Sequence, residues 1–262
     1  MALYFISDIH LGAHKGCGDA TPDLQKESVP VISPDAHVNG GAKGDASSKV
    51  HAVDKPVEIP SATNTGETQK YEKLEKLFTM VEQDGEYLYL VGDIFDFWFE
   101  YRTVVHSQYF DFLCRLRSVI QKGVKVRFFP GNHDYWGGAF LRDLGMEIYK
   151  KPASFEHYGQ KFHIGHGDGY AKKDWGYNWI LRPLLRNPVS IFMFRLVHPD
   201  LAMALGRLVS GGSRHYTGAR QFPFRDEYIA MATQLIENQG YGYVIHGHTH
   251  TAMQLPIGNG NY

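Results

Sequence analysis

Five short runs of strand-forming residues in this chain each stop at a polar tip built from glycine, aspartate, asparagine and histidine. Residues 3–6 lead into Asp8 and His10, and residues 87–91 into Gly92 and Asp93. Residues 124–129 lead into Asn132, His133 and Asp134, residues 161–164 into His166, and residues 243–245 into His246, His248 and His250. Between the runs lie helical patterns: Tyr71, Leu74, Leu77, Phe78 and Val81 share one face, and a second helix over 105–122 stops at Gly123. This alternation predicts a layered α/β fold with a largely parallel sheet. Strands that end on one edge deliver their tips to one crevice.

The remaining elements follow from the same periodicities. A short helix is expected over 139–144, and a hairpin whose arms are 147–149 and 161–164. A last helix over 226–238 buries Tyr228, Ala232, Leu235 and Ile236. Gly258-Asn259-Gly260 reads as a hairpin turn whose return strand is very short or lies beyond the sequence.

Histidines crowded at 246–250, just where a β-branched run stops, are a poor way to build a core and a good way to hold a metal. His248 and His250 lie two apart, as do Asp8 and His10, so on extended backbone each pair leaves from one face. One ion rarely takes both members without a bend; two neighbouring ions can. The ligand types are imidazole nitrogen and carboxylate or amide oxygen with no thiolate, which suits Mn²⁺, Fe²⁺ or Zn²⁺ in mixed coordination. Seven donors, Asp8, His10, Asp93, Asn132, His166, His248 and His250, are too many for one open catalytic ion and suit two. Such a pair, about 3.5–4 Å apart, stabilises both oxygens of an in-line displacement at phosphorus.

Composition bounds the rest. A length of 262 residues suits one domain, with or without an appended cap. A net charge of −1 offers no bulk attraction for nucleic acid. Cys17 and Cys114 differ in context and form no disulfide framework, which favours a reducing compartment. The apolar start, residues 1–6, meets Asp8 without a basic lead and reads as a buried strand, neither a signal peptide nor a spanning helix. Residues 12–68 contain no Phe, Trp or Tyr and are expected to form a disordered insertion, with His14, His37 and His51 solvated in it.

The ordered set D-x-H, G-D-x-x-D, G-N-H-D, G-H and G-H-x-H resembles the calcineurin-like metallophosphoesterase superfamily over residues 3–250, the insertion apart. The resemblance implies an α/β/β/α sandwich. It also implies that Asp8, His10 and His250 hold a first metal, Asp93 bridges, and Asn132, His166 and His248 hold a second. His133 falls where the superfamily keeps a general acid or phosphate contact, with Asp134 placed to orient it. A narrower likeness comes from residues 92–98, His166-Gly167-Asp168 and Asp174, which are similar to the UDP-2,3-diacylglucosamine hydrolases of lipid A synthesis. These enzymes cleave a pyrophosphate to UMP and 2,3-diacylglucosamine 1-phosphate, usually with Mn²⁺. The best-known branch has Arg where this chain has His133.

Residues 175–225 change character again: Trp175, Trp179, Ile180, Leu184 and the apolar run 191–197 are interspersed with Arg182, Arg186, Arg195, Arg207, Arg214, Arg220 and Arg225, against the single acid Asp200. Pro183, Pro188 and Pro199 are expected to break this into short helices forming a cap that receives acyl chains or rests on an anionic membrane surface, and no run is long enough to span a bilayer. Ser213 and Arg214 are expected in a polar loop that contacts the substrate, together with Asn132, His133, His166, Asp174 and His248. The expected protein is a cytoplasmic enzyme, peripheral on the inner face of the membrane, acting on an acylated sugar nucleotide. A soluble phosphoesterase acting on nucleotides, cyclic nucleotides or phosphoproteins is the alternative enzyme. A non-catalytic metal-dependent scaffold would be marked by lost ligands, and all seven positions are filled.

Overall fold

A computed structural model describes residues 1–12, 65–171, 175–218 and 225–262, leaving aside the side chains of residues 65, 207 and 210–218. Its first sheet holds β1 (Ala2–Ile6), β2 (Gly85–Leu90), β3 (Lys125–Phe128) and β4 (Glu147–Ile148) in that order, all parallel. The second comprises β5 (Ala153–His157), β6 (Gln160–Gly165), β7 (Tyr243–His246), β8 (Pro256–Ile257) and β9 (Gly260–Asn261), ordered β5-β6-β7-β9-β8. There β6, β7 and β9 run parallel, and the outer strands are antiparallel.

Period-two alternation sorts the side chains into layers. Leu3, Tyr87, Tyr89 and Val91 face the second sheet and meet Phe162 and Ile164 in the core between sheets. Ala2, Tyr4, Leu88 and Leu90 face the other way, under α1 (Thr65–Asp84) and α2 (Phe110–Gln121). Both faces of β1 and β2 are therefore covered, which is why those strands read as unbroken apolar runs. On the far side α7 (Arg225–Gln239) lays Ala232 and Ile236 on Val244. The result is the expected α/β/β/α sandwich, with α3 (Ala139–Asp143) packed beside the first sheet. Charge reinforces the helix layer: Arg115 of α2 pairs with Glu82 and, at 2.8 Å, with Glu75, while Lys122 reaches Glu82 at 2.7 Å.

Several boundaries depart from the expectations. The segment expected as a hairpin arm at 147–149 supplies β4 of the first sheet, and β6 pairs instead with β5. Tyr158 and Gly159, both at positive φ (52° and 74°), make the two-residue turn, and Tyr in that position carries no turn signal. The return strand after Gly258 is present as β9, bonded to β8 and to β7. Helix α1 starts at Thr65, inside the expected insertion, because its first turn is pinned from outside. The Glu67 carboxylate accepts the Gly12 N–H at 2.7 Å, and Lys70 donates to the His10 carbonyl at 3.0 Å. His14, Cys17, His37 and His51 lie outside the described residues.

The arginine-bearing segment is helical: a π-helical turn (Tyr177–Leu181), α4 (Arg182–Arg186), α5 (Pro188–Arg195) and α6 (Pro199–Gly218). Pro188 and Pro199 each open a helix, where no N–H is needed, and Pro183 follows just after the π-helical turn. Helix α6, at 20 residues, is not short, and it carries 210–214 as helix and not as the expected loop. Propensity is a weak prior, and the glycines there do not stop the helix. Phe194 packs on Phe99 at 4.8 Å between ring centres, and Gly206 has room for no side chain against the Phe97 ring. Trp98 and Phe99 are core residues.

Candidate metal centre

The tips converge at the edge where the parallel strands end. Among the described residues six non-glycines adopt positive φ, and five of them are Asp8, His10, Asp93, His248 and His250 (47° to 72°). Left-handed backbone is costly for such residues, and its concentration at the strand tips marks them as functional and not merely structural turns. Two glycines make room. A side chain on Gly131 would overlap the Asp93 carboxylate, and a Cβ on Gly247 would lie 2.6 Å from the Asp8 carboxylate.

Two groups of donor atoms share one residue: Asp8, His10, Asp93 and His250 form one, and Asp93, His166 and His248 the other. In the first, His250 Nε2 lies 3.2 Å from His10 Nε2 and 3.6 Å from Asp8 Oδ1. In the second, His166 Nε2 lies 3.3 Å from Asp93 Oδ2 and 3.3 Å from the amide oxygen of Asn132. Asp8, His10, Asp93, His166, His248 and His250 thus lie in these two groups, and Asn132 stands beside His166. The backbone holds them. His166 Nδ1 donates to the Val91 carbonyl at 3.0 Å, which leaves Nε2 for the centre. The His248 N–H donates to the Asp8 carboxylate at 2.9 Å, and the His133 N–H to Asp93 Oδ1 at 2.9 Å.

The electrostatics are those of a site short of positive charge. Burial raises the Asp8 carboxyl, and the neighbouring Asp93 adds to this against His166 and His250. Burial also works against ionised Asp93, but His166, His133 and His10 outweigh it and hold the carboxyl well below its usual range. His166 is raised well above its usual value, since Asp93 and Asp8 outweigh its burial. Burial and His166 push His248 down to about 4, a neutral imidazole of the kind that ligates metals. Carboxylates and imidazoles converging on a shared carboxylate fit divalent cations.

Asp134 behaves differently from the expectation. The Asp134 carboxylate does not orient His133; it accepts backbone N–H groups from Gly131 at 2.7 Å, Ile94 at 2.8 Å and Asp93 at 3.3 Å. It is a strut between the tips of β2 and β3, pushed up to about 7 by burial and by Asp93. His133 Nδ1 instead donates to the Asp96 carbonyl at 2.8 Å, and its ring stands edge-on to His10 at 4.7 Å. Asp96, to which sequence reasoning gave no role, groups with His10 and His133, its carboxylate 3.8 Å from His10 Nδ1. Its place three residues after Asp93 in G-D-x-x-D was the available signal. Ser213 and Arg214 fall in α6 with undescribed side chains, and Asp174 lies outside the described residues.

Fold and site define a metal-binding phosphoesterase framework. The chain belongs to the calcineurin-like phosphoesterase family, which it matches over residues 1–252. Among curated proteins it is similar to a UDP-2,3-diacylglucosamine hydrolase of Porphyromonas gingivalis, 34% identical over 51% of this chain and 52% of that protein. Proteins of the same name from Pseudomonas fluorescens and Pseudomonas aeruginosa are 29% and 28% identical, over 63% and 66% of this chain and 66% and 72% of theirs. The match therefore spans about half the length of the first relative and just under two thirds of the second. Among the described residues no helix is long and apolar enough to cross a membrane.

Proposed function

We propose that the protein hydrolyses the pyrophosphate of UDP-2,3-diacylglucosamine, giving UMP and 2,3-diacylglucosamine 1-phosphate. The observation that carries this is the pair of donor groups sharing Asp93, together with relatives that bear that name. In this reading Asp8, His10 and His250 hold one divalent ion, Asn132, His166 and His248 the other, and Asp93 belongs to both. Mn²⁺ is the ion proposed from the resemblance. The ions, when bound, supply Lewis acidity at phosphorus and make water reactive at neutral pH.

The chain's own residues do the rest. Val91 and the His133 N–H fix the rings and the Asp93 carboxylate in advance, so little reorganisation is left for the reaction. With Nδ1–H donated to the Asp96 carbonyl, the doubly protonated His133 ring would donate its Nε2–H to a phosphate oxygen and steady the leaving phosphate. Asp174, Ser213 and Arg214 are assigned to the sugar nucleotide on the resemblance alone. The apolar surface of the helical segment, with Trp179, Phe192 and Leu208 more than half exposed, supports a role in taking acyl chains and resting on an anionic membrane at its cytoplasmic face. UMP release from the acylated sugar nucleotide with Mn²⁺, run beside water-soluble mono- and diesters, tests the reading. Preference for the soluble esters would overturn it.

A further inference from the structure

Arg182 and Arg186 of the arginine-bearing segment both turn inward to Asp168. Arg186 Nη2 lies 2.5 Å from Asp168 Oδ2, Arg182 Nε lies 3.5 Å from the same oxygen, and the Tyr177 hydroxyl donates to it at 2.8 Å. Burial works against this carboxylate, but His166, Arg186, His248 and Tyr177 together hold it below its usual range. The Arg186 guanidinium has a second partner: it lies over the Tyr135 ring, 4.4 Å from its centre. Asp168 follows His166 by two residues at the tip of the second sheet, and Tyr135 follows His133 by two at the tip of the first. One side chain of α4 thus touches both tips that carry the donor groups. Two further contacts seat the same helix. Trp136 Nε1 donates to the Leu185 carbonyl at 2.9 Å, and a Cβ on Gly169 (φ 87°) would meet the Arg182 guanidinium at 2.7 Å.

We propose that Arg186 is a positioning residue that clamps α4 across the two sheet tips and so sets the apolar helical segment at a fixed distance from the metal centre. Where the substrate has both a pyrophosphate and an apolar tail, as in the reading above on which this part rests, that distance decides whether the two ends seat together. The clamp requires arginine. Its planar group can pair with a carboxylate at its edge while its face lies on a ring, which an ammonium cannot do. The pair is also partly desolvated, with 22% of the Arg186 side chain and 8% of that of Asp168 exposed, so solvent screens it less than a surface pair.

Hydrogen exchange on the whole chain tests the clamp without reference to substrate. In Arg186→Met, peptides covering 177–186 and 135–136 should exchange about tenfold faster or more, the rest of the chain unchanged. Unchanged exchange in both segments would overturn the proposal. Should that variant loosen the entire chain, Arg186→Lys is read instead: a rise confined to the two segments supports the clamp, and none overturns it. Kinetics then test its purpose. Arg186→Met should lower kcat/KM for the acylated sugar nucleotide about tenfold or more, chiefly through KM, and leave hydrolysis of bis(p-nitrophenyl) phosphate and bound metal as in the wild type. A parallel fall on both substrates, or on neither, would overturn the positioning role. Failure of the wild type to cleave the acylated nucleotide would instead remove the proposed substrate and leave the exchange result to judge the clamp.

Discussion

The Nε2 atom of His166, at the end of the second sheet, lies 3.3 Å from the Asp93 carboxylate at the end of the first. With the His166–Val91 and His248–Asp8 hydrogen bonds, that contact joins the two halves of the sandwich at the site, and Asp93 belongs to both donor groups. Asp93→Ala should therefore lose more than one ion. Turnover should fall by more than about 100-fold, the loss typical of a residue one layer further out, and bound metal measured by elemental analysis should drop at both positions. Full metal content with normal turnover would remove Asp93 from the centre.

In the proposed reading the His133 ring contacts a phosphate oxygen, while its backbone N–H holds the Asp93 carboxylate whatever the side chain. His133→Ala should cut kcat by about 10²–10³-fold, the usual range for a positioned proton donor or hydrogen-bond partner. KM and metal content should change little. A loss of bound metal equal to that of Asp93→Ala would place His133 among the ligands instead.

Asp134 carries structure more than chemistry. Asp134→Ala leaves backbone N–H groups at Gly131, Ile94 and Asp93 buried without their acceptor. Chemical denaturation should show a loss of at least about 3 kcal/mol. Near-wild-type stability would mean that the tips of β2 and β3 are held by something else.

The helix layer supplies a pH signature remote from the metal centre. The guanidinium of Arg115 and the ammonium of Lys122 hydrogen-bond to Glu82 and bring its carboxyl down to about 2. A carboxyl lowered in the folded state adds stability above its unfolded value, about 4.3, and loses it as pH falls toward 2. Glu82→Gln should therefore cost up to about 1 kcal/mol at pH 7, the upper end for a partly exposed pair. Melting curves of variant and wild type should converge between about pH 4.5 and 2. A gap that stays constant over that range would show that Glu82 contributes by packing alone.

The ends of the aromatic-free stretch meet, since the Glu67 carboxylate accepts the Gly12 N–H at 2.7 Å. Replacing residues 14–63 by a short Gly/Ser linker should leave the melting temperature within a few degrees and turnover intact, because loop closure depends only weakly on length, by about 0.6 kcal/mol per doubling. A large loss of melting temperature would show that the stretch packs on the domain.

How much of this was legible depends on whether a residue's role is local. The strand runs, α1, α2 and α7 follow from apolar periodicity, and the seven donors from histidine, aspartate and asparagine placed at strand ends. The hairpin partner of β6 is not legible because residues 147–149 are as strand-like as residues 153–157, and only strand pairing within each sheet chooses between them. Adjacency in sequence suggests that Asp134 serves His133, yet its carboxylate turns to backbone N–H groups of its own and the neighbouring strand tip.

Sequence alone determined that alternating strands and helices would bring oxygen and imidazole donors to one edge, because side-chain period and residue chemistry are properties of each segment by itself. Tertiary structure alone decided at what distances the donors meet around Asp93, that Asp96 stands beside His10 and His133, and that Arg186 spans the ends of both sheets. Those relationships join residues tens to hundreds of positions apart, and nothing in the local pattern of either partner encodes the distance at which they meet.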